Sequence, residues 1–111
     1  MPDWKQRIKK YEAEYLEDLK RLVAISSVRD LQTAKDGAPF GKAIREAFDS
    51  FLQIAEKCGF ETEDCDGYAC HAQLGNTKEY IGVLGHLDVV EIGKPDEWKT
   101  DPFTMVQDGD M

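Results

Sequence analysis

A chain of 111 residues, 41% hydrophobic and 32% charged, has the size of one ordinary domain, not of a multidomain assembly or of a large enzyme complete with its lid. A mean hydropathy of -0.53, with no apolar run near the ~20 residues that span a bilayer, excludes a membrane protein. The net charge of -8 is unevenly placed. Residues 1–60 hold 11 Lys and Arg against 10 Asp and Glu, whereas residues 61–111 hold 3 against 12. An acidic half of this kind repels phosphate backbones and argues against nucleic-acid binding. The opening Met1-Pro2-Asp3-Trp4-Lys5-Gln6-Arg7 has no apolar signal core, so a cytoplasmic location is expected.

In chain order, the first helix is expected from the N-cap Asp3 to about Ser26. Trp4, Ile8, Tyr11, Tyr15, Leu19, Leu22 and Val23 recur at spacings of three and four and form one stripe for packing on a core. Its charges are mixed in sign, against a membrane-surface role. Ser27 to Pro39 turns polar and irregular. A second helix, about Phe40 to Cys58, carries Phe40, Ile44, Ala47, Phe48, Phe51, Leu52 and Ala55 on one face, and Gly59 is placed to stop it. The period then changes to two. Phe60–Cys65 reads as an edge strand, Asp66-Gly67 as a hairpin turn, and Tyr68–Leu74 as a strand with Tyr68, Cys70, Ala72 and Leu74 on its apolar face. Tyr80–Gly85 is almost wholly apolar and predicts an interior strand, buried on both faces and running into His86-Leu87-Asp88-Val89-Val90. An irregular stretch with Gly93, Pro95, Trp98, Pro102 and Phe103 follows, ending in the turn signal Asp108-Gly109. Two helices beside such strands predict an α/β fold, with both helices packed on a small mixed sheet that includes residues 80–86.

Three cysteines, Cys58, Cys65 and Cys70, do not make a disulfide framework and fit a reducing compartment. Cys65, Cys70 and His71 raise the question of a thiolate metal site. They lack the second Cys/His pair of structural zinc, which favours buried or half-buried thiols and a solvated His71.

The end of the buried strand is the informative place, because ligands in α/β sheets bind beyond the carboxyl ends of the strands. His86 and Asp88 sit there, two apart, so in an extended chain both side chains point one way. A neutral imidazole is a good zinc ligand, and a carboxylate that accepts its other N–H fixes the tautomer. One His and one Asp are nevertheless too few for a closed site.

Gly85-His86-Leu87-Asp88-Val89-Val90, then Trp98, Asp101-Pro102-Phe103 and Asp108-Gly109, resemble the co-catalytic zinc metallopeptidases that include aminoacylase and the bacterial dipeptidases. Upstream, Leu22-Val23-Ala24-Ile25-Ser26-Ser27-Val28, Pro39-Phe40-Gly41-Lys42-Ala43, Cys58-Gly59-Phe60 and Asp66-Gly67-Tyr68-Ala69 look like the dipeptidase V branch, the carnosinase-like Xaa-His dipeptidases. The resemblance implies that His86 ligates one of two zinc ions and that Asp88 supports the metal site and counts as catalytic. It implies dipeptide substrates, a water activated between two metals and a glutamate general base.

Departures accompany the match. Glu91 stands where the family usually has proline, and Cys70 where relatives often have glycine. The family continues, past the point reached by Met111, to a glycine–arginine–glycine stretch, a bridging aspartate, the general base and a final histidine. Residues 1–111 are therefore expected to be the N-terminal portion of a peptidase catalytic domain, inactive alone, without tight zinc binding, and prone to self-association through an uncovered sheet edge. The rival reading is a small non-catalytic α/β module in which His86 and Asp88 are structural. A phosphate-binding domain is disfavoured, because Gly82 and Gly85 open no helix.

Overall fold

The computed structural model describes residues 2–111. Among these residues are three α-helices, α1 (Trp4–Lys9), α2 (Glu12–Val23) and α3 (Lys42–Lys57), and two strands, β1 (Glu61–Cys65) and β2 (Ala69–Gln73). The α/β class is as expected. The sheet is a two-stranded antiparallel hairpin rather than a mixed sheet, with Glu63 opposite His71 and Asp64 opposite Cys70.

α3 is the centre of the fold. Ile44, Ala47, Phe48 and Ala55 recur at helical spacing and are buried, so one face of the helix is removed from water against α2 and the hairpin. The helix begins two residues later than the apolar pattern suggests. Gly41 is its N-cap, at φ +107°, where an added Cβ would lie 2.4 Å from the Asp30 carbonyl oxygen. It ends as the sequence predicts. Gly59 adopts φ +89°, its N–H donates to Glu56 O (3.0 Å), and Phe60 N–H donates to Ala55 O (3.0 Å). This pair of bonds is the Schellman stop that supplies donors to the last carbonyls.

The first helix differs from its sequence-based description in three ways. Asp3 caps it as expected, accepting from Lys5 and Gln6 N–H. The helix then breaks at Lys10–Tyr11, where Tyr11 N–H donates to Ile8 O rather than one residue further back. Neither Pro nor Gly marks this break. Regular helix also stops at Val23, short of Ser26. Finally, only the C-terminal part of the stripe packs: Leu19, Leu22 and Val23 are half-buried, whereas Trp4 (63% exposed), Ile8, Tyr11 and Tyr15 face solvent. The register of the helix pair explains this. Lys57, at the end of α3, pairs with Asp18 (2.6 Å) and Glu14 (3.6 Å), and Arg21 bonds Gln53. α2 and α3 are therefore antiparallel, and residues 2–13 reach past the end of α3 and are exposed.

The hairpin turns at Asp66-Gly67 as predicted, both residues at positive φ (+56° and +77°), with Tyr68 N–H closing on Cys65 O at 3.1 Å. Cys70 and Ala72 are half-buried, while Tyr68 and Leu74 are exposed. Arg45 of α3 anchors the turn, bonding Gly37 O (3.0 Å) and Asp64 Oδ2 (2.6 Å).

The largest departure concerns residues 80–86. They form neither strand nor helix, and Tyr80, Ile81, Val83 and Leu84 are 88–100% exposed. A strand exists only where another strand accepts its N–H and C=O groups. The hairpin does not offer either edge to this segment, so its apolar pattern has no sheet to enter. The two helices consequently do not pack on a sheet containing residues 80–86.

Candidate functional site

His86 and Asp88 lie on an extended segment that is held to the rest of the fold at one place. Ser27, 3% exposed, donates its Oγ–H to Leu87 O at 2.8 Å and accepts from Val89 N–H at 3.0 Å. Ile25 beside it is buried, and Leu87 is half-buried. The alternation along Leu87-Asp88-Val89 puts Leu87 toward the fold and Asp88 toward solvent.

Within the segment His86 and Asp88 meet directly. His86 Nδ1 lies 2.9 Å from the Asp88 carbonyl oxygen and 3.2 Å from Asp88 Oδ1. The carbonyl accepts the hydrogen bond and the carboxylate lies close by, which selects the Nδ1–H tautomer. Nε2, the other nitrogen, then carries its lone pair outward and has no hydrogen-bond partner among the described residues. Asp88 thus reaches the ring with both its backbone carbonyl and its carboxylate, the hydrogen bond being made by the carbonyl. Among the described residues no cleft encloses the pair: the His86 and Asp88 side chains are 80% and 64% exposed.

The chain beyond the pair folds back toward Ser26 and Val28. Trp98 Nε1–H donates to Ile92 O at 2.9 Å, and Asp101 accepts from Phe103 N–H at 2.8 Å, closing the turn that carries Phe103. Pro95–Glu97 form one 3-10 turn between them. Phe103, Ile92, Gly93 and Glu91 face Ser26 and Val28 across an open depression of about 410 Å³. The motif residues Trp98 and Asp101 therefore act on backbone, shaping the loop.

As a metal site the pair is incomplete. His86, its Nδ1 engaged by Asp88, has the disposition of a single zinc ligand with its carboxylate support. No group of three or more His, Cys, Asp or Glu side chains converges among the described residues, and zinc requires at least three protein ligands. The cysteine alternative fails on register. Cys65 and His71 project from one face of the hairpin and Cys70 from the other. His71 Nε2 pairs with Glu63 at 2.9 Å and is exposed. Burial pushes the Cys70 thiol pKa up, and the nearby Asp64 charge adds to this, which keeps it protonated and a poor ligand. Cys58 and Cys65 are exposed, not buried as expected.

Ser27 was singled out in the sequence only as part of the stretch Leu22–Val28. No signal there distinguishes it from Ser26, which is exposed; only its burial against Leu87 does.

No protein-family model matches the chain. Over 103 residues, 93% of its length, the chain is 42% identical to a Staphylococcus haemolyticus protein named "Putative dipeptidase". It is 41% identical over the same length to a Staphylococcus aureus USA300 protein with the same description. The chain spans 22% of the length of each of these relatives. Among the described residues no helix is long and apolar enough to cross a membrane.

Proposed function

We propose that residues 1–111 form the N-terminal portion of the catalytic domain of a zinc-dependent dipeptidase and supply one side of its metal centre. The observation that carries this reading is the His86–Asp88 pair. An imidazole whose Nδ1–H is held by the Asp88 backbone carbonyl, with the Asp88 carboxylate 3.2 Å away and Nε2 left without a partner among the described residues, is the disposition of a zinc ligand, and it occurs where the chain resembles the metallopeptidase motif. Similarity to proteins named dipeptidases over nearly the whole chain supports the same reading.

In this proposal His86 Nε2 holds one of two zinc ions, and Asp88 fixes the tautomer and raises the basicity of the ring. Bound zinc supplies an activated water and polarises the scissile carbonyl. The other ligands and the general base come from outside these residues. The substrates are dipeptides of the Xaa-His type, and the chain by itself is inactive.

The test uses the longer protein with zinc and a panel of Xaa-His and other dipeptides. His86→Ala abolishes hydrolysis. Asp88→Asn retains the metal but lowers affinity or activity by about 10–100-fold. Calorimetry on the 111-residue chain shows no submicromolar zinc binding, since one imidazole cannot form a closed site. Full activity of His86→Ala would overturn the assignment and favour a non-catalytic module. A preference for dipeptides without C-terminal His would overturn only the Xaa-His part.

A further inference from the structure

We infer that Ser27 is a positioning residue for the His86–Asp88 pair, its hydroxyl standing in for the backbone N–H of a parallel ladder. The consequence for metal binding rests on the functional reading above, whereas the geometry does not.

In a parallel strand pair, a residue donates its N–H to one carbonyl and accepts from the N–H two residues further along the partner. Ser27 makes the second of these bonds in the ordinary way, through its carbonyl to Val89 N–H at 3.0 Å. Its own N–H cannot make the first, because it is spent on Ile25 O at 2.8 Å, and Val28 N–H is likewise turned to Ser26 O at 2.8 Å. The Ser27 hydroxyl fills the gap, donating to Leu87 O at 2.8 Å. The two bonds bracket Asp88: Leu87 is held on one side and Val89 on the other. With both neighbours fixed, the Asp88 backbone carbonyl and Oδ1 come to 2.9 and 3.2 Å from His86 Nδ1.

The requirement is chemically specific. Ser27 is 3% exposed, so water cannot readily replace a lost hydroxyl, and a buried bond left unmade is costly. Alanine has no donor, threonine keeps one, and cysteine offers only a weak S–H.

The experiment uses the 15N-labelled 111-residue chain at about pH 8, where an ordinary imidazole is neutral. Long-range 1H–15N spectra read the tautomer of each histidine, and hydrogen exchange reads the Val89 amide. His86 is expected as the Nδ1–H tautomer. In Ser27→Ala it reverts to the mixture of a free histidine, and Val89 exchanges roughly tenfold faster. Ser27→Thr restores both, and His71 is unchanged throughout. Phe48→Leu, which weakens the core away from the pair, lowers global stability without moving the His86 tautomer. Should Ser27→Ala fail to fold, Ser27→Cys takes its place and shows the same losses.

The inference is overturned if the variant lacking a good donor keeps the tautomer and the Val89 exchange rate. It is also overturned if Ser27→Thr behaves like Ser27→Ala, or if Phe48→Leu shifts the tautomer equally. None of these readouts involves metal or peptide. Loss of the tautomer in Ser27→Ala beside a fully active His86→Ala longer protein would uphold Ser27 and reject the dipeptidase reading.

Discussion

Gly67 has no room for a side chain. At φ +77° an added Cβ would lie 2.2 Å from Gly37 O and 2.9 Å from Pro39 Cδ, because the hairpin tip is seated on the turn at Lys35–Ala38, which is closed by two backbone bonds between those residues. Gly67→Ala should therefore combine left-handed strain with displacement of backbone, a loss of about 1–3 kcal/mol readable in urea unfolding. Gly59→Ala is the control: its φ is also positive but its Cβ meets nothing within 4 Å, so it should cost less. Asp64 supplies a second residue-scale prediction. The Gly67 N–H at 2.8 Å and then the Arg45 guanidinium hold its pKa below the usual carboxylate range. A carboxylate whose folded pKa is depressed contributes stability that is present above its unfolded pKa of about 3.9. That stability is lost as pH falls through the lower folded value. Acid unfolding should accordingly steepen below about pH 4, and Asp64→Asn should flatten that limb while leaving the neutral-pH slope unchanged. An unchanged acid limb in the variant would refute the role.

For the helices, the decisive quantity is what each face meets. α3 has a partner along its apolar face, and Phe48 is 7% exposed there. Phe48→Ala should cost about 3–5 kcal/mol, as cavity formation does in well-packed cores. The first stripe offers the contrast. Trp4 has the larger side chain but is 63% exposed, so Trp4→Ala should change stability by less than about 0.5 kcal/mol. Paired denaturation curves decide this. A large effect at Trp4 would mean that α1 packs somewhere in solution. Charge patterning holds α2 to α3 where apolar contact is thin: Lys57 bridges Asp18 and Glu14, and Arg21 bonds Gln53. Apart from the half-buried Asp18 these groups are exposed, and each contact contributes little by itself.

Taken whole, the molecule leaves far more surface open than its mass requires. The accessible area is 9573 Å², against about 6,200 Å² for a compact monomer of 12.6 kDa. The radius of gyration is 16.5 Å, where a compact domain of this length has about 13 Å. The exposed large apolar side chains include Tyr80, Ile81, Val83 and Leu84 and the stripe from Trp4 to Tyr15. Exposed apolar residues in this number are expected to promote self-association. Sedimentation velocity should show concentration-dependent assembly in the micromolar range, and Ile81→Lys with Val83→Lys should suppress it. A compact monomer at high micromolar concentration would count against this expectation.

Local signals were legible in the sequence wherever the structure is decided within a few residues. Asp3 as an N-cap, Gly59 as a helix stop, the Asp66-Gly67 turn and the two short strands all follow from backbone chemistry acting over one to six positions. The helical stripe of α3 was also readable, because its partners lie within this chain. Tyr80–Gly85 shows where such reading stops. A nearly continuous apolar run says that the segment suits a buried strand, yet hydrogen-bonding partners and covering layers decide whether it becomes one, and these residues find neither. The same holds for the site. Spacing placed His86 and Asp88 together, but the tautomer depends on where Asp88 turns. That in turn depends on Ser27, sixty residues earlier in the chain from Leu87, whose role appears only when the two segments are folded against each other.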